Sequence, residues 1–215
     1  MPSVLADHTP GRAVGGSGPK GEAIARAALR LFLRDGYERT SVDAIAAEAG
    51  VSKRTIYNRY GDKENLFLSV LRDTYNSMMA TFREIADKHL GAVTDVQQGL
   101  TAFALEVART MTTAPDRIAL VRLIMSEAPF FPALIRGERE ETTMHGSVTA
   151  YLARLAGEGR LATADPAEAA EHLIALTINQ INGRTMFGVV PVSDAKVQRI
   201  IAGGVAAFVR AYRPA

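Results

Sequence analysis

From Lys20 onward, apolar residues recur at helical spacing along most of the chain. Ile24, Ala27, Ala28, Leu31 and Phe32 form one stripe, and Asp35-Gly36 ends it. Thr40-Ser41-Val42-Asp43 then offers a hydroxyl N-cap with an acid three residues on, the pattern of a capping box. Val42, Ile45, Ala46 and Ala49 predict a two-turn helix, and Gly50 suits the left-handed residue that stops it. Ser52 caps a second short helix reaching about Asn58. Gly61-Asp62 breaks the chain, and a long helix follows from Lys63 to near Lys88. Beyond Gly91 the periodicity predicts helices over about 94–113, 116–127, 129–157, 166–188 and 193–212. Pro129 and Pro132 interrupt the third of these near its start. There is no Asn-Gly hairpin and no sustained alternation of apolar and polar positions, so the expected fold is all-α.

Two short helices joined by Ala49-Gly50-Val51-Ser52 have the sequence form of a helix-turn-helix. Gly50 permits the turn, Val51 fills the angle, and Ile45, Ala46 and Ile56 make a small core. The second helix is left presenting Lys53, Arg54, Thr55, Tyr57 and Asn58 beside its cap Ser52. These are cations and hydrogen-bonding groups of the kind that reach phosphates and base edges. Lys53 and Arg54 sit in the first turn of their helix and Lys63 in the first turn of the next. Each opposes the helix dipole there, at about 0.3–1 kcal/mol for an exposed site. An external anion at those N-termini would reverse that cost.

The charge distribution is compatible with this. Of 215 residues, 25 are Lys or Arg and 23 Asp or Glu, a net charge of +2. Residues 1–60 hold nine of those cations against six acids, an excess of +3. Residues 61–215 hold sixteen against seventeen, an excess of −1. Gly15-Gly16-Ser17-Gly18 reads as a flexible tail over 1–18. It is not a phosphate loop, because Lys20 follows Pro19 and precedes Gly21. Arg12 in that tail could reach a minor groove. No cysteine is present, which removes disulfides and thiolate metal sites. No apolar run spans a bilayer, Gly203-Gly204 interrupting the nearest at Ile200–Val209, and residues 1–18 lack the features of a signal peptide. A cytoplasmic protein without membrane attachment is expected.

Residues 24–70 resemble the DNA-binding domain of the TetR family of transcriptional regulators. The likeness runs from Ile24-Ala25-Arg26-Ala27-Ala28 through Asp35-Gly36-Tyr37 and Thr40-Ser41-Val42-Asp43-Ala44-Ile45-Ala46. It continues over Ala49-Gly50-Val51-Ser52-Lys53-Arg54-Thr55-Ile56-Tyr57-Asn58-Arg59-Tyr60 to Asp62-Lys63-Glu64-Asn65-Leu66-Phe67. After the tail over 1–18 that composition gives, the resemblance implies a DNA-binding domain over 19–65 and a regulatory and dimerisation domain over 66–215. It implies a homodimeric repressor of a palindromic double-stranded DNA operator, released by a small-molecule effector. Carried over by position, Thr40 and Ser41 match phosphate contacts, Lys53, Arg54 and Thr55 match base and phosphate contacts, and Tyr57, Asn58 and Lys63 match phosphate contacts. Asn58 stands where the family often has His, and Tyr60, where it usually has Phe, reads as core.

The segment Leu120-Val121-Arg122-Leu123-Ile124-Met125-Ser126-Glu127-Ala128-Pro129-Phe130-Phe131-Pro132 resembles the C-terminal domain of AefR- and AcrR-like members. Phe103, Met111, Leu123, Met125, Phe130, Phe131, Met144 and Tyr151 could line an effector cavity, since Met and aromatic side chains adapt to apolar ligands. Glu127, His145, Asn179, Gln180 and Asn182 are the polar candidates, with Asn179 and Asn182 alternatively at a dimer face. Leu173, Leu176, Ile181, Val197, Ile201, Val205 and Phe208 give the last two helices apolar faces for dimerisation. Gly183, Gly203 and Gly204 would permit close approach.

Two other function classes have some footing in the sequence. Glu141 with His145 and Glu168 with His172 have metal-binding spacing, but two ligands make no site. No His-Glu-x-x-His or Gly-x-Ser-x-Gly pattern occurs, so neither an enzyme nor a metal or other cofactor is expected. A helical adaptor that sets its basic helix on an acidic protein is the alternative.

Overall fold

The computed structural model describes residues 18–91, 94–112, 114–131 and 143–214. The expected tail, apart from Gly18, lies outside them, as do Arg12, Pro132, Glu141 and the side chain of Met111. Among the described residues every regular element is helical. They are α1 (Pro19–Arg39), α2 (Val42–Ala49), α3 (Lys53–Tyr60), α4 (Lys63–Leu90), α5 (Val96–Val107), α6 (Pro115–Glu127), α7 (Met144–Gly157), α8 (Pro166–Leu176), α9 (Ile178–Thr185) and α10 (Asp194–Ala211). A π-helical turn, Ala108–Thr112, follows α5. The chain divides into two compact units, one ending at Asp73 and one beginning at Thr74.

In the first unit α1 buries Ile24, Ala27, Ala28, Leu31 and Phe32. Its regular path breaks at Gly36, whose φ of 80° and ψ of 173° leave the helical region. Thr40 then closes the helix end: its hydroxyl donates to Gly36 O at 2.8 Å and to Leu31 O at 3.3 Å. The cap of α2 is Ser41, whose Oγ accepts from Ala44 N at 3.1 Å. Asp43 is thus one position short of a capping box with that cap, and its carboxylate turns elsewhere. Gly50 takes the left-handed conformation with φ of 66°. Ser52 caps α3 through Thr55 N at 3.1 Å. The first turns of α4 belong to this unit because Leu66, Phe67, Val70 and Leu71 are buried, Phe67 meeting Phe32 edge-on at 4.9 Å. The compact boundary therefore falls eight residues past the expected domain end at residue 65.

The second unit is built on one apolar core. Phe82, Ile85 and Leu90 of α4 join Leu100 and Phe103 of α5 and Leu152 of α7. Leu173 of α8, Ile181 of α9, and Val197, Ile201, Val205 and Phe208 of α10 complete it. Leu173, Ile181, Val197, Ile201, Val205 and Phe208 were expected at a dimer face. All six are spent inside the protomer, and Leu176 packs against the same core. A helix has one apolar stripe, and the protomer's own core takes it first. A partner would meet the opposite sides of these helices.

The helix expected over 166–188 is two helices, broken at Thr177 with φ of −120° and ψ of −85°. The cause lies on α10. A Cβ at Gly204 would stand 2.2 Å from Leu176 O and 3.1 Å from Thr177 Cγ2, so the two backbones touch where the break occurs. Thr177 Oγ1 returns to Leu173 O at 2.6 Å, satisfying a carbonyl near the break. Gly204→Ala should therefore cost about 1–3 kcal/mol of stability, read as a lowered urea midpoint. An unchanged midpoint would show that α10 does not approach α8 this closely.

Candidate functional site

Polar side chains gather where α2 and α3 begin. Both helices are held by hydroxyl caps, and a capping hydroxyl that accepts an N–H still has its own hydrogen to donate. Ser41 is in that state. Ser52 shares a hydrogen with Thr55, Oγ to Oγ1 at 2.8 Å. Lys53, Arg54, Tyr57 and Asn58 are exposed, and Thr55 is half-buried. Tyr57 is among the exposed large apolar side chains at 41%. Ile56 and Tyr60, on the inner face of the same helix, are buried. The surface that α3 presents is consequently fixed by its core-facing residues.

The three cations stand in different conditions. Arg54 is exposed and has no hydrogen bond or ion pair among the described residues. Lys53 donates to Asp43 Oδ2 at 3.0 Å. That hydrogen bond, and then the charge of Asp43, raise its pKa above the ordinary lysine value, so its ammonium is the resident form. Lys63 donates to Glu38 O at 3.3 Å and lies 4.2 Å from the Tyr37 ring centroid, a cation–π arrangement. Asp43 was expected only as a capping acid, and Tyr37 had no assigned role from sequence. The aromatic ring directly after Gly36 was a signal for Tyr37; nothing in the spacing of Asp43 and Lys53, ten apart, announced their pairing. Thr40 departs from its expected role: it is 2% exposed, and its hydroxyl serves the end of α1, so it is not placed to meet a phosphate.

The second unit contains a cavity of about 300 Å³. Met78 and Met79 of α4, Val107 of α5, Ile118 and Val121 of α6 and Ile178 of α9 form its apolar wall. Tyr75, Thr143, His145 and Asn182 bring polar atoms to it, and Phe187 stands at the turn after α9. That turn is tight: Met186 and Phe187 have φ of 47° and 52°, and a Cβ at Gly188 would meet Ile118 at 2.4 Å. Of the residues expected to bind an effector, Met144, His145 and Asn182 line this cavity. Phe103 instead packs edge-on to Phe82 at 5.5 Å in the core. Tyr151 hydrogen-bonds Asp87, and burial, then that bond, push its pKa up to about 12. Met125 and Phe130 are 52% and 77% exposed, Phe131 is buried, Glu127 and Leu123 lie on α6 away from the lining set, and Asn179 is exposed. Tyr75, Met78 and Val121 were not singled out from sequence, because a lining residue and a core residue share one periodicity.

No group of three or more His, Asp or Glu side chains is arranged to hold a metal among the described residues. Glu141 lies outside them. His172 Nδ1 is 2.6 Å from the Tyr212 hydroxyl, which accounts for that ring without a ligand. No described helix is long and apolar enough to cross a membrane.

Comparison with known proteins agrees with this arrangement. Residues 24–70 match the domain described as bacterial regulatory proteins, tetR family. Residues 98–214, more than half the chain, match the AefR-like transcriptional repressor C-terminal domain. A DNA-binding transcriptional repressor, TetR, of Mycobacteroides abscessus is 29% identical over 136 residues, 61% of this chain and 58% of that protein. The chain thus spans less than two thirds of that relative's length. Among solved structures, a TetR-family transcriptional regulator from Mesorhizobium loti superposes with a TM-score of 0.82 at 28% identity, covering 92% of this chain and all of that one. The flavonoid-responsive regulator FrrA superposes with a TM-score of 0.71 at 27% identity, covering 92% and 99%. The family is one of transcriptional regulators and not of enzymes. With a helix-turn-helix in its first unit and an AefR-like helical domain in its second, this chain belongs to the TetR family of transcriptional regulators.

Proposed function

We propose that this chain is a cytoplasmic repressor that binds a near-palindromic operator as a homodimer and is released by a small, mainly apolar molecule. The observation that carries the reading is the exposed start of α3, where Lys53, Arg54, Thr55, Tyr57 and Asn58 surround a capped helix N-terminus. Phosphate contacts position such a helix and base contacts specify its site. Ser41, Ser52 and Lys63 extend the phosphate-contacting set. Footprinting on the DNA flanking the chain's own gene tests the reading. Arg54→Ala should cost about 1–3 kcal/mol at the site found, if it reads a base edge. Lys63→Ala should weaken all sequences alike and flatten the salt dependence by about one contact. Wild-type affinity in both variants would remove the assignment.

The dimer would form on the sides of α9 and α10 that the protomer leaves uncovered. Gln180 and Arg184 of α9 face Lys196, Arg199, Ile200 and Gly203 of α10 across a groove of about 320 Å³. Gly203 is exposed in mid-helix with nothing within 4 Å of where its Cβ would be. Within one protomer that glycine only costs helix stability, about 1 kcal/mol against alanine. A second copy crossing at Gly203 supplies a reason for it. Two-fold symmetry would then set the operator's half-site spacing. Gly203→Leu or Ile200→Glu should yield monomers that bind the operator poorly. A wild-type monomer at micromolar concentration in sedimentation would refute the interface.

The effector site is the cavity beside Met78, Val121, Asn182 and Phe187. Its lining suits a compact, largely apolar molecule with one hydrogen-bonding edge, and a structural relative named as flavonoid-responsive supports an aromatic one. Helix α4 carries Lys63 in its first turn and Tyr75, Met78 and Met79 farther along, so one element serves both functions. Coupling of this kind is typically about 1–3 kcal/mol and must be reciprocal. A released effector should therefore bind more weakly, by the same factor, when operator is present. Equal calorimetric affinities with and without operator would end the ligand reading.

A further inference from the structure

Asp43 is the second residue of α2, and Lys53 is the first of α3. Their side chains meet at 3.0 Å although they are 70% and 48% exposed. The two charges stand differently toward their own helices. An acid in the first turn of α2 agrees with that helix's dipole, whereas a lysine in the first turn of α3 opposes it. The carboxylate of Asp43 compensates Lys53. It supplies an anionic oxygen at hydrogen-bond distance from the ammonium, beside the N-terminus of α3. A DNA phosphate would occupy the same relation to Lys53. Arg54, the next residue, has no such partner and is ready for contact.

A phosphate approaching Lys53 meets Asp43 first as a rival and then as a like charge. Both oxygens cannot share the ammonium at contact distance without repelling one another. An exposed ion pair of this kind holds its partners weakly, so the lysine can exchange between them. We infer that Asp43 is a phosphate surrogate on the DNA-facing surface: it competes with the DNA backbone for Lys53 and lowers affinity for duplexes of every sequence. The inference rests on the reading that the start of α3 meets the DNA backbone. Binding to arbitrary sequence is almost wholly electrostatic, so it bears the competition in full. Operator binding bears the same penalty but keeps its base contacts, so the operator complex stays measurable where arbitrary sequence no longer binds. A pair that merely fixed the angle between α2 and α3 would act in the opposite direction, since losing it would loosen the recognition helix.

The test uses the full chain and a fluorescently labelled duplex of random sequence, followed by anisotropy over a range of salt. The proteins are wild type, Asp43→Asn, Lys53→Ala and the double variant, with thermal melts to establish folding. Asp43→Asn should bind about fivefold more tightly, the factor expected for removing one exposed charge–charge interaction. Its plot of log affinity against log salt should steepen by about 0.9, one added phosphate contact. In the Lys53→Ala background the gain should largely vanish. Asp43→Ala provides the same comparison should the asparagine variant melt early. Unchanged or weaker binding by a folded Asp43 variant overturns the inference, and so does a gain that survives intact without Lys53. A wild-type chain that binds no DNA at low salt would remove the DNA-binding reading itself, a result visible before any variant is measured.

Discussion

The two helices that present the cationic surface are eight residues long each, and isolated helices that short have little stability in water. Their existence depends on one thin apolar layer. Ile45 and Ala46 on α2 and Ile56 and Tyr60 on α3 are buried, together with the inner stripe of α1 and the first turns of α4. Full burial of an aliphatic side chain of this size is worth roughly 1.5–3 kcal/mol, so Ile45 and Ile56 hold the pair of helices together. Because the layer is one residue deep, each inward residue fixes the direction of its outward neighbours. Placing Ile56 inward turns Arg54 and Asn58 outward, and no flexible segment intervenes.

Short helices also leave a large share of their backbone groups without helical partners. Here Ser41, Ser52 and Asp95 answer the first N–H groups of α2, α3 and α5, and Ser193 those of α10. At α2 and α3 the caps do more than close the helix. The remaining N–H groups of each first turn, with the Ser41 hydroxyl hydrogen at α2, point to where an anion would bind. Thr40 marks the limit of this economy: one hydroxyl cannot both close α1 and meet a phosphate, and its 2% exposure decides the matter.

Much of the first unit was legible in the sequence because its signals are local. Ser52 as a cap, Gly50 as a left-handed stop and Ile56 as core each follow from a few adjacent residues, and all three are as expected. The second unit was less legible, for a physical reason. Periodicity tells which face of a helix is buried but not what buries it. Val205 and Phe208 looked equally suited to a partner or to the protomer, and the protomer holds them. Phe103 and Met78 have similar character, yet one packs on Phe82 and the other faces a cavity. The break at Thr177 was invisible for the same reason. Its cause, Gly204, is twenty-seven positions away in the chain and acts through a backbone contact.

Once folding has claimed its residues, those that folding alone does not explain carry the information about function. Gly203 and Gly204 are neighbours of one type, yet they differ in this respect. Gly204 is required because a Cβ there would stand 2.2 Å from Leu176 O, whereas a Cβ at Gly203 would meet nothing within 4 Å. Arg54 is similar: it gains no partner among the described residues, although a long cation in a helix's first turn is unfavourable there. Lys53 sits between the two cases, since Asp43 satisfies it at the surface with a contact too exposed to add much stability. A contact of that strength suits a binding surface, because a stronger one would withhold the lysine from DNA. With no contact at all, the lysine would meet every phosphate without a competitor.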